Sequence, residues 1–162
     1  MKLRLALPFL LLLAAPLAAK DSLGVFSDWG AFRDSAIPRC YAIAMAQPDD
    51  ERHDYQPFAS IGTWPKRDLR NQLHVRLSRK VSRSSSIRLV MGAQRFELTG
   101  GGGEAWAKDK RMDAAIIAAM RSASSMSVSA RDIAGRPFTD SYSLAGAATA
   151  MDAATIGCAR LR

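Results

Sequence analysis

The feature that most constrains this chain is a change of hydrophobic period between residues 110 and 146. Apolar residues first recur about four positions apart, at Met112, Ile116 and Met120, which is the spacing of a helix with one face against a core. Asp109 stands immediately before this segment, in the position of an N-cap. The period then changes to two, which is typical of a β-strand with one buried face. The sequence therefore predicts a helix followed by strands.

A β-hairpin is predicted directly after this helix. In residues 125–131 three apolar residues alternate with polar ones, residues 132–137 contain the glycine and proline of a turn, and residues 138–144 alternate again. Two alternating strands across such a turn predict an antiparallel hairpin with one buried face. Asp140 interrupts the apolar side of the second strand, so we expect it at the open end of that strand. Residues 147–156 are rich in alanine and predict a short second helix.

Short strands are predicted along the rest of the chain. They are expected over residues 25–33, 39–46, 58–64, 73–81, 86–91, 93–98 and 104–108. The four glycines of residues 100–103 predict a flexible hairpin loop. His74 lies on the polar side of its strand with no acidic residue nearby in the sequence, so we expect a surface histidine. Many short strands separated by turns, with two helices late in the chain, predict an all-β fold, an antiparallel sandwich or barrel.

The N-terminus has the layout of a secretory signal peptide. Two positive charges in residues 1–4 precede an apolar run over residues 5–15, and a proline and small residues then lead to Ala19. The apolar run is shorter than the ~20 residues that a membrane-spanning helix needs, and no other segment is apolar enough. We therefore expect a signal peptide over residues 1–19, one domain over residues 20–162, no transmembrane span, and a location in the periplasm or outside the cell.

The two cysteines, Cys40 and Cys158, predict a disulfide in an exported protein. The bond would close a loop of about 118 residues, which contributes on the order of 4–5 kcal/mol to stability in the chain-entropy model. The functional alternative is a redox-active pair. The sequence has no Cys-x-x-Cys motif, which favours the structural bridge.

Several short motifs together resemble a known family. They are Ala119-Met120-Arg121 in the predicted helix, the Gly135-Arg136 turn, Tyr142-Ser143-Leu144 followed by Gly146, and the earlier pairs Asp28-Trp29 and Arg39-Cys40. With these motifs the chain resembles the invasion-associated locus B family of bacterial envelope proteins. The resemblance implies an immunoglobulin-like antiparallel β-sandwich with a cysteine pair in similar places. It also implies a role in envelope biology, linked in some pathogens to invasion of host cells, and it supplies no catalytic residues.

No catalytic, metal-binding or cofactor-binding motif is recognisable. The only histidines, His53 and His74, stand in no catalytic motif. Residues 47–55 contain four acids but lack the alternating pattern and the central glycine of an EF-hand loop. The glycines of residues 100–103 are not followed by the Gly-Lys-Ser/Thr of a phosphate-binding loop. We therefore expect no enzyme activity, no metal and no cofactor.

The positive charge is concentrated in one part of the chain. Residues 64–111 contain twelve basic and four acidic residues, a net charge of +8. If they share one surface, the clustered basic residues form a patch that attracts polyanions. These residues are Lys66, Arg67, Arg70, Arg76, Arg79, Lys80, Arg83 and Arg88. The alternative is a solvated face that keeps the protein soluble and protects an edge strand.

The sequence thus predicts an exported, non-catalytic envelope or secreted protein of the invasion-associated locus B type. Export argues against nucleic acid as the ligand of a basic patch and leaves anionic lipid, lipopolysaccharide or an acidic host glycan. Two alternatives stay open. One is a periplasmic hydrolase, and the other is an accessory subunit of an envelope complex that binds an envelope protein partner through a sheet edge.

Overall fold

The computed structural model describes residues 20–159, and the predicted signal peptide over residues 1–19 lies outside the described residues. The described part forms nine β-strands, two α-helices and one 3₁₀ turn. The strands are β1 (Asp21–Phe26), β2 (Trp29–Asp34), β3 (Arg39–Met45), β4 (Phe58–Trp64), β5 (Leu69–Val81), β6 (Ile87–Met91), β7 (Gln94–Trp106), β8 (Ser125–Arg131) and β9 (Pro137–Ser143). The helices are α1 (Lys110–Met120) and α2 (Ala147–Cys158), and the 3₁₀ turn is Pro65–Arg67. No helix within the described residues is long and apolar enough to cross a bilayer.

The strands form a single antiparallel sheet in the order β1-β2-β3-β4-β5-β7-β6-β8-β9. The long strand β7 belongs to both halves of the sheet, because its second part pairs with β5 and its first part pairs with β6. We call β1 to β5 the N-terminal half, and β6, β8 and β9 the C-terminal half. The predicted all-β antiparallel fold with two short helices is confirmed, and both halves contribute to one hydrophobic core.

The core follows from the alternation of the strands. In β8, Met126, Val128 and Ala130 are buried, as the period of two predicts. The helical stripe is confirmed as well, since Ile116 and Met120 of α1 are buried in the same core. Helix α2 packs against β1, β2, β3 and β4, while α1 packs against β5 and β7. Both helices therefore lie on the inward side of the sheet.

The N-cap prediction is confirmed at the start of α1. The side chain of Asp109 accepts a hydrogen bond from the backbone N–H of Met112 at 2.8 Å. This bond satisfies one of the backbone donors that the first turn of a helix leaves without a partner.

The prediction of one strand over residues 25–33 is wrong, because this segment contains a turn between β1 and β2. Ser27 has a φ of 51°, outside the range of a strand, and the backbone N–H of Asp28 donates to the carbonyl oxygen of Ala145 at 3.3 Å. The two short strands that result pair with each other, with Phe26 opposite Trp29. The contact with Ala145, more than 100 positions away, is not visible in the local sequence pattern.

The prediction of a flexible loop at residues 100–103 is also wrong, since these glycines lie inside β7. A Cβ at Gly100 would come within 2.1 Å of the backbone oxygen of Glu104, and one at Gly103 would come within 2.5 Å of the ring of Tyr55. Gly102 has a φ of +65°, and the pairing of β5 with β7 changes register here. The glycines therefore permit a bulged, crowded strand where the sheet passes from one half to the other.

The prediction that Asp140 lies at the open end of its strand is wrong. Asp140 stands in the middle of β9, is 2% exposed, and accepts a hydrogen bond from the backbone N–H of Ser78 at 3.0 Å. Asp113 of α1 accepts from the backbone N–H of Leu73 in the same way, at 2.8 Å. Both aspartates supply acceptors to N–H groups of β5 that have no strand partner there. Burial raises the pKa of both carboxyl groups above the ordinary value.

The predicted disulfide between Cys40 and Cys158 is present, with the two Cα atoms 5.6 Å apart. It joins β3 to the last residue of α2, so it fastens this helix to the inner face of the N-terminal half. The described residues contain no free cysteine.

Candidate functional site

The eight basic residues predicted to form a patch lie in two groups. Lys66, Arg67 and Arg70 belong to the 3₁₀ turn and the first residues of β5, whereas the other five lie farther along β5 or beyond it. Strand β5 has 13 residues, and at about 3.3 Å per residue it is roughly 40 Å long. The eight residues therefore do not form one contiguous patch at a single end of this strand.

Two of the eight are occupied by neighbouring side chains. Arg76 forms an ion pair with Glu104 of β7, and its guanidinium lies 3.8 Å from the centre of the Tyr55 ring. Arg79 is paired with Glu51 and with the buried carboxylate of Asp132, and its side chain is 12% exposed. These partners neutralise much of the charge that the two arginines would offer to a ligand.

The remaining residues of the second group lie where β5 turns into β6. Lys80, Arg83 and Arg88 form no ion pair with any residue of the described chain. Arg88 lines a depression of about 420 Å³ on the surface of the C-terminal half. We call this depression the serine–arginine hollow. Its polar lining is Ser85, Ser86, Arg88, Ser129, Arg131 and Thr139.

Strand pairing explains how the hollow is assembled. Arg88 stands opposite Ser129, and Ser129 stands opposite Thr139, so three adjacent strands place these side chains in one row. Arg131 follows Ser129 by two positions and therefore points to the same side of the sheet. The intervening residues, such as Val128, are buried in the core, which forces the row outward into solvent.

The hollow has the chemistry of an oxyanion site. Arg131 donates to the carbonyl oxygen of Gly135 at 2.8 Å, which holds the guanidinium at the rim. Glu97 of β7 stands opposite Arg88, and its carboxylate accepts a hydrogen bond from the hydroxyl of Ser86. The two positive charges of Arg88 and Arg131 thus exceed the single negative charge of Glu97. Guanidinium and hydroxyl groups together suit phosphate, sulfate or carboxylate, because both donate hydrogen bonds and the guanidinium adds charge.

The predicted surface histidine, His74, is half-buried and has an acid beside it that is distant in the sequence. The antiparallel pairing of β5 with β7 brings Glu104 beside it, and the ring Nε2 is 2.5 Å from the carboxylate. Burial lowers the pKa of His74, and the positive charge of Arg76 lowers it further. A lowered pKa favours a neutral ring, and a neutral ring can donate its Nε2–H to Glu104. His53 is similarly placed 2.9 Å from Asp49.

Neither histidine belongs to a recognisable catalytic arrangement in the described part of the chain. Within residues 20–159, the imidazole rings of His53 and His74 form hydrogen bonds only with the carboxylates of Asp49 and Glu104. The same residues contain no group of three or more His, Cys, Asp or Glu side chains that could hold a metal ion.

Sequence reasoning missed a second surface, on the outer side of the N-terminal half. Half-buried rings cluster there on neighbouring strands, and we call this surface the aromatic face. Its rings are Phe32, Tyr41, Phe58, Trp64, His74 and Trp106. The available signal was the spacing of Trp64 and Tyr41, which fall on the outward positions of strands where polar residues are usual.

Comparison with known proteins identifies one family. The model of a family described as "Invasion associated locus B (IalB) protein" matches residues 39–155. The match runs from β3 into α2 and includes the whole hairpin of β8 and β9. Neither the curated proteins nor the solved structures compared with the chain contain a significant match.

Proposed function

The chain belongs to the invasion-associated locus B family, and from this premise we propose that it is an exported, non-catalytic protein that binds anionic groups of the envelope or of a host surface. In this proposal residues 1–19 are a signal peptide, residues 20–162 form one domain, and the serine–arginine hollow is the binding site. The ligand is a phosphate or carboxylate group of anionic lipid, lipopolysaccharide or an acidic host glycan.

Family, covalent structure and sequence support export. The disulfide between Cys40 and Cys158 is of a kind that persists in oxidising compartments and is rare in the cytosol. Together with the family match, it fits an extracytoplasmic protein. The N-terminal sequence has the charge, apolar run and small residues of a signal peptide.

The observation that carries the binding proposal is the pairing of Arg88 and Arg131 around a depression rimmed with hydroxyl groups. Strand register places both arginines on the outer face, where burial of their neighbours prevents them from folding inward. Arg88 has no ion-pair partner within residues 20–159, so its charge is available to a ligand. Such a site attracts anions at a distance and weakens as salt screens the attraction.

A periplasmic hydrolase has less support than a binding protein. Such an enzyme needs a nucleophile held by a base, and in the described residues each histidine is bonded to a carboxylate rather than to a hydroxyl or thiol. Both cysteines are in the disulfide and cannot act as nucleophiles while it is intact. An accessory role in an envelope complex would use an edge strand, β1 or β9, and crosslinking in intact cells would detect a dominant protein partner.

The proposal is tested by co-sedimentation of the oxidised mature protein with vesicles across a salt series. The vesicles contain phosphatidylcholine alone, phosphatidylcholine with phosphatidylglycerol, or phosphatidylcholine with lipopolysaccharide. A variant that combines Arg88→Gln with Arg131→Gln removes two charges from the hollow. The matched control combines Arg67→Gln with Arg70→Gln, which removes two charges at the opposite end of β5.

We expect the protein to bind the anionic vesicles, to release them as salt rises, and to lose at least about tenfold in affinity in the hollow variant but not in the control. Equal losses in both variants would show that net charge, and not the hollow, attracts the vesicles. Absence of binding at low salt would overturn the proposal that the protein binds these anionic surfaces.

A further inference from the structure

The aromatic face contains a depression of about 260 Å³ that belongs to neither the hollow nor the core. Its wall contains the rings of Tyr41, Phe58 and Trp64 and the side chain of Ile43, and polar atoms come from Ser60 and from the imidazole of His74. A concave site lined by rings with a few polar groups is the usual form of a small-molecule site in proteins. Its volume suits a single sugar ring.

The floor of this depression lies at Gly62, where the absence of a side chain leaves room for the ring of Trp64. Gly62 precedes Trp64 by two positions on the same side of β4, and a Cβ at Gly62 would lie 2.5 Å from two carbon atoms of the indole ring. The indole therefore lies back over the strand instead of standing away from it. The adjacent strand pairs Tyr41 with Gly62, so this ring borders the same open floor.

Only some of the rings on the aromatic face pack against another ring. Phe32 stacks on Tyr41 with centroids 5.6 Å apart, and His74 stacks on Trp106 at 5.4 Å, as cross-strand pairs do to stabilise a sheet. Trp64 has no aromatic partner within residues 20–159. The buried side chains of both helices belong to the core on the other side of the sheet, so the helices leave this surface open.

The rim of the depression is positively charged. Lys20 and Arg39 line it, and the guanidinium of Arg39 lies 5.0 Å from the centre of the Tyr41 ring. The nearest acidic partner of Arg39 is Asp34, at 3.5 Å, and the buried Nε of Arg39 has no hydrogen-bond partner in the described chain. A signal-peptide cut after Ala19, as predicted, would add the α-ammonium group of Lys20 to this rim. Lys20 and Arg39 together carry two positive charges against the single negative charge of Asp34, so the rim keeps a net positive charge that complements an anion.

We propose that this depression binds a carboxylate-bearing sugar unit of an acidic glycan. A pyranose ring has an apolar C–H face, which would lie against the ring of Trp64, and hydroxyl groups that would reach Ser60 and His74. The carboxylate would lie at the rim, where the positive charges of Arg39 and Lys20 would attract it. The inference concerns a different surface from the hollow and does not depend on binding there.

The test is a titration of the oxidised mature protein with 3′-sialyllactose and trigalacturonate, beside the neutral sugars lactose and methyl-esterified trigalacturonate. Binding is followed by tryptophan fluorescence and by backbone NMR shifts. We expect the acidic sugars to shift the amides of β3 and β4, and the neutral sugars to bind at least about tenfold more weakly. If no acidic sugar binds, or if acidic and neutral sugars bind equally, the proposal is wrong.

Four variants locate the site. Trp64→Leu removes the ring, and Arg39→Gln removes the rim charge with little change in shape. Arg95→Gln removes an exposed charge from the first part of β7, and Ile156→Ala removes an exposed apolar side chain from α2. The first two should each weaken acidic-sugar binding at least about tenfold, and the two controls should leave it unchanged. Retained binding in Trp64→Leu would overturn the proposal.

A fifth variant, Gly62→Ala, distinguishes loss of the site from loss of the fold. Its Cβ displaces the far end of the indole without touching another backbone segment, so the protein should fold and still lose affinity for the sugar. Circular dichroism establishes the fold of each variant. Self-association that disappears in Trp64→Leu, without sugar binding, would show that a second copy of the chain covers this face instead. Absence of vesicle binding by the wild-type protein, together with retained sugar binding, would overturn the proposal for the hollow and leave this one standing.

Discussion

The aromatic face and the serine–arginine hollow occupy the outer sides of the two halves of one sheet, yet they have almost opposite compositions. The residues that point inward behind the two surfaces are alike. Val75 behind the aromatic face and Val128 behind the hollow are both fully buried aliphatic residues. The residues that point outward differ. The aromatic face has aromatic rings around Gly62, and the hollow has serine, threonine and arginine side chains. Burial dictates only one side of each strand. The other side is free to vary, and there the two halves differ.

The halves also differ in how they are held. Helix α2 covers the inner side of β1 to β4 and is fastened there by the disulfide, whereas it makes no comparable contact with the β6, β8 and β9 strands. Connections between the halves include β7 and the hydrogen bond from Ser78 in β5 to Asp140 in β9. We therefore expect the stability of the two halves to respond differently to substitutions of the same kind.

Removal of the disulfide should have the largest effect. Cys40→Ser combined with Cys158→Ser releases a loop closed over a sequence separation of 118 residues, which in the chain-entropy model costs on the order of 4–5 kcal/mol of unfolding free energy. Urea denaturation measures the loss. Hydrogen exchange should show that amides of α2 and β1 to β4 lose protection before those of β6, β8 and β9. Uniform loss across both halves would contradict the difference between them.

The contact of Asp140 with β5 should have the next largest effect. Asp140→Ala leaves the buried N–H of Ser78 without an acceptor, which costs about 1–3 kcal/mol. Asp140→Asn keeps an acceptor oxygen and removes a charge, so it should cost less. Denaturation of both variants beside the wild type measures the difference, and equal losses would show that the hydrogen bond to Ser78 is not what matters.

The same residue gives a pH dependence of known sign. Burial raises the folded pKa of Asp140 above 3.8, so the folded protein binds this proton more tightly than the unfolded chain does. Its stabilising contribution is full below pH 3.8 and is lost as pH rises through the folded pKa. The Asp140→Asn variant should therefore show a smaller decline in stability over this acidic range than the wild type.

His74 should give the aromatic face a pH dependence of the opposite sign. Its folded pKa lies below 6.5, mainly through burial, so the neutral ring is favoured in the folded protein. The contribution of His74 to the stability of the protein is full above pH 6.5 and is lost as pH falls through the folded pKa of this residue. Urea midpoints measured from neutral to mildly acidic pH should fall in the wild type and fall less in His74→Gln. A flat wild-type profile would contradict the assignment.

Changes at the hollow should have the smallest effect on stability. Arg88→Gln and Arg131→Gln alter solvated outer side chains and should each change the unfolding free energy by less than about 0.5 kcal/mol. Trp64→Leu on the aromatic face should cost somewhat more, up to about 1 kcal/mol, because the ring covers the backbone of Gly62. Thermal denaturation of the three variants checks this order. A large loss in either arginine variant would make the hollow a structural feature.

Much of the fold could be predicted where a local pattern decides it. The helix that Asp109 caps and the hairpin after it were predicted from period and turn residues, and the structure confirms both. The failures lie where distant segments meet. The turn at Ser27 depends on Ala145, and the environment of His74 depends on Glu104, 30 positions away. No window of sequence contains both members of such a pair.

The candidate sites show the same limit. The eight clustered basic residues were identified from the sequence, but the sequence could not show that β5 separates them into two groups or that Arg79 is paired with Asp132. Arg131, the second arginine of the hollow, lies outside the predicted cluster because strand pairing, not sequence distance, brings it to Arg88. Charge can be counted along a chain, whereas a patch exists only after the strands are paired.

By itself, the sequence determined the elements whose cause is local: the alternating strands, the two helices, the single cysteine pair and the motifs of the family. These follow from side-chain period, capping and the need to bury apolar surface, which act over a few residues. Only the tertiary structure decided that Asp140 is a buried acceptor, that residues 100–103 form a strand, and that rings and arginines collect on separate faces. The physical reason is that hydrogen-bond partners and shared surfaces are set by strand register, which joins residues far apart in the chain.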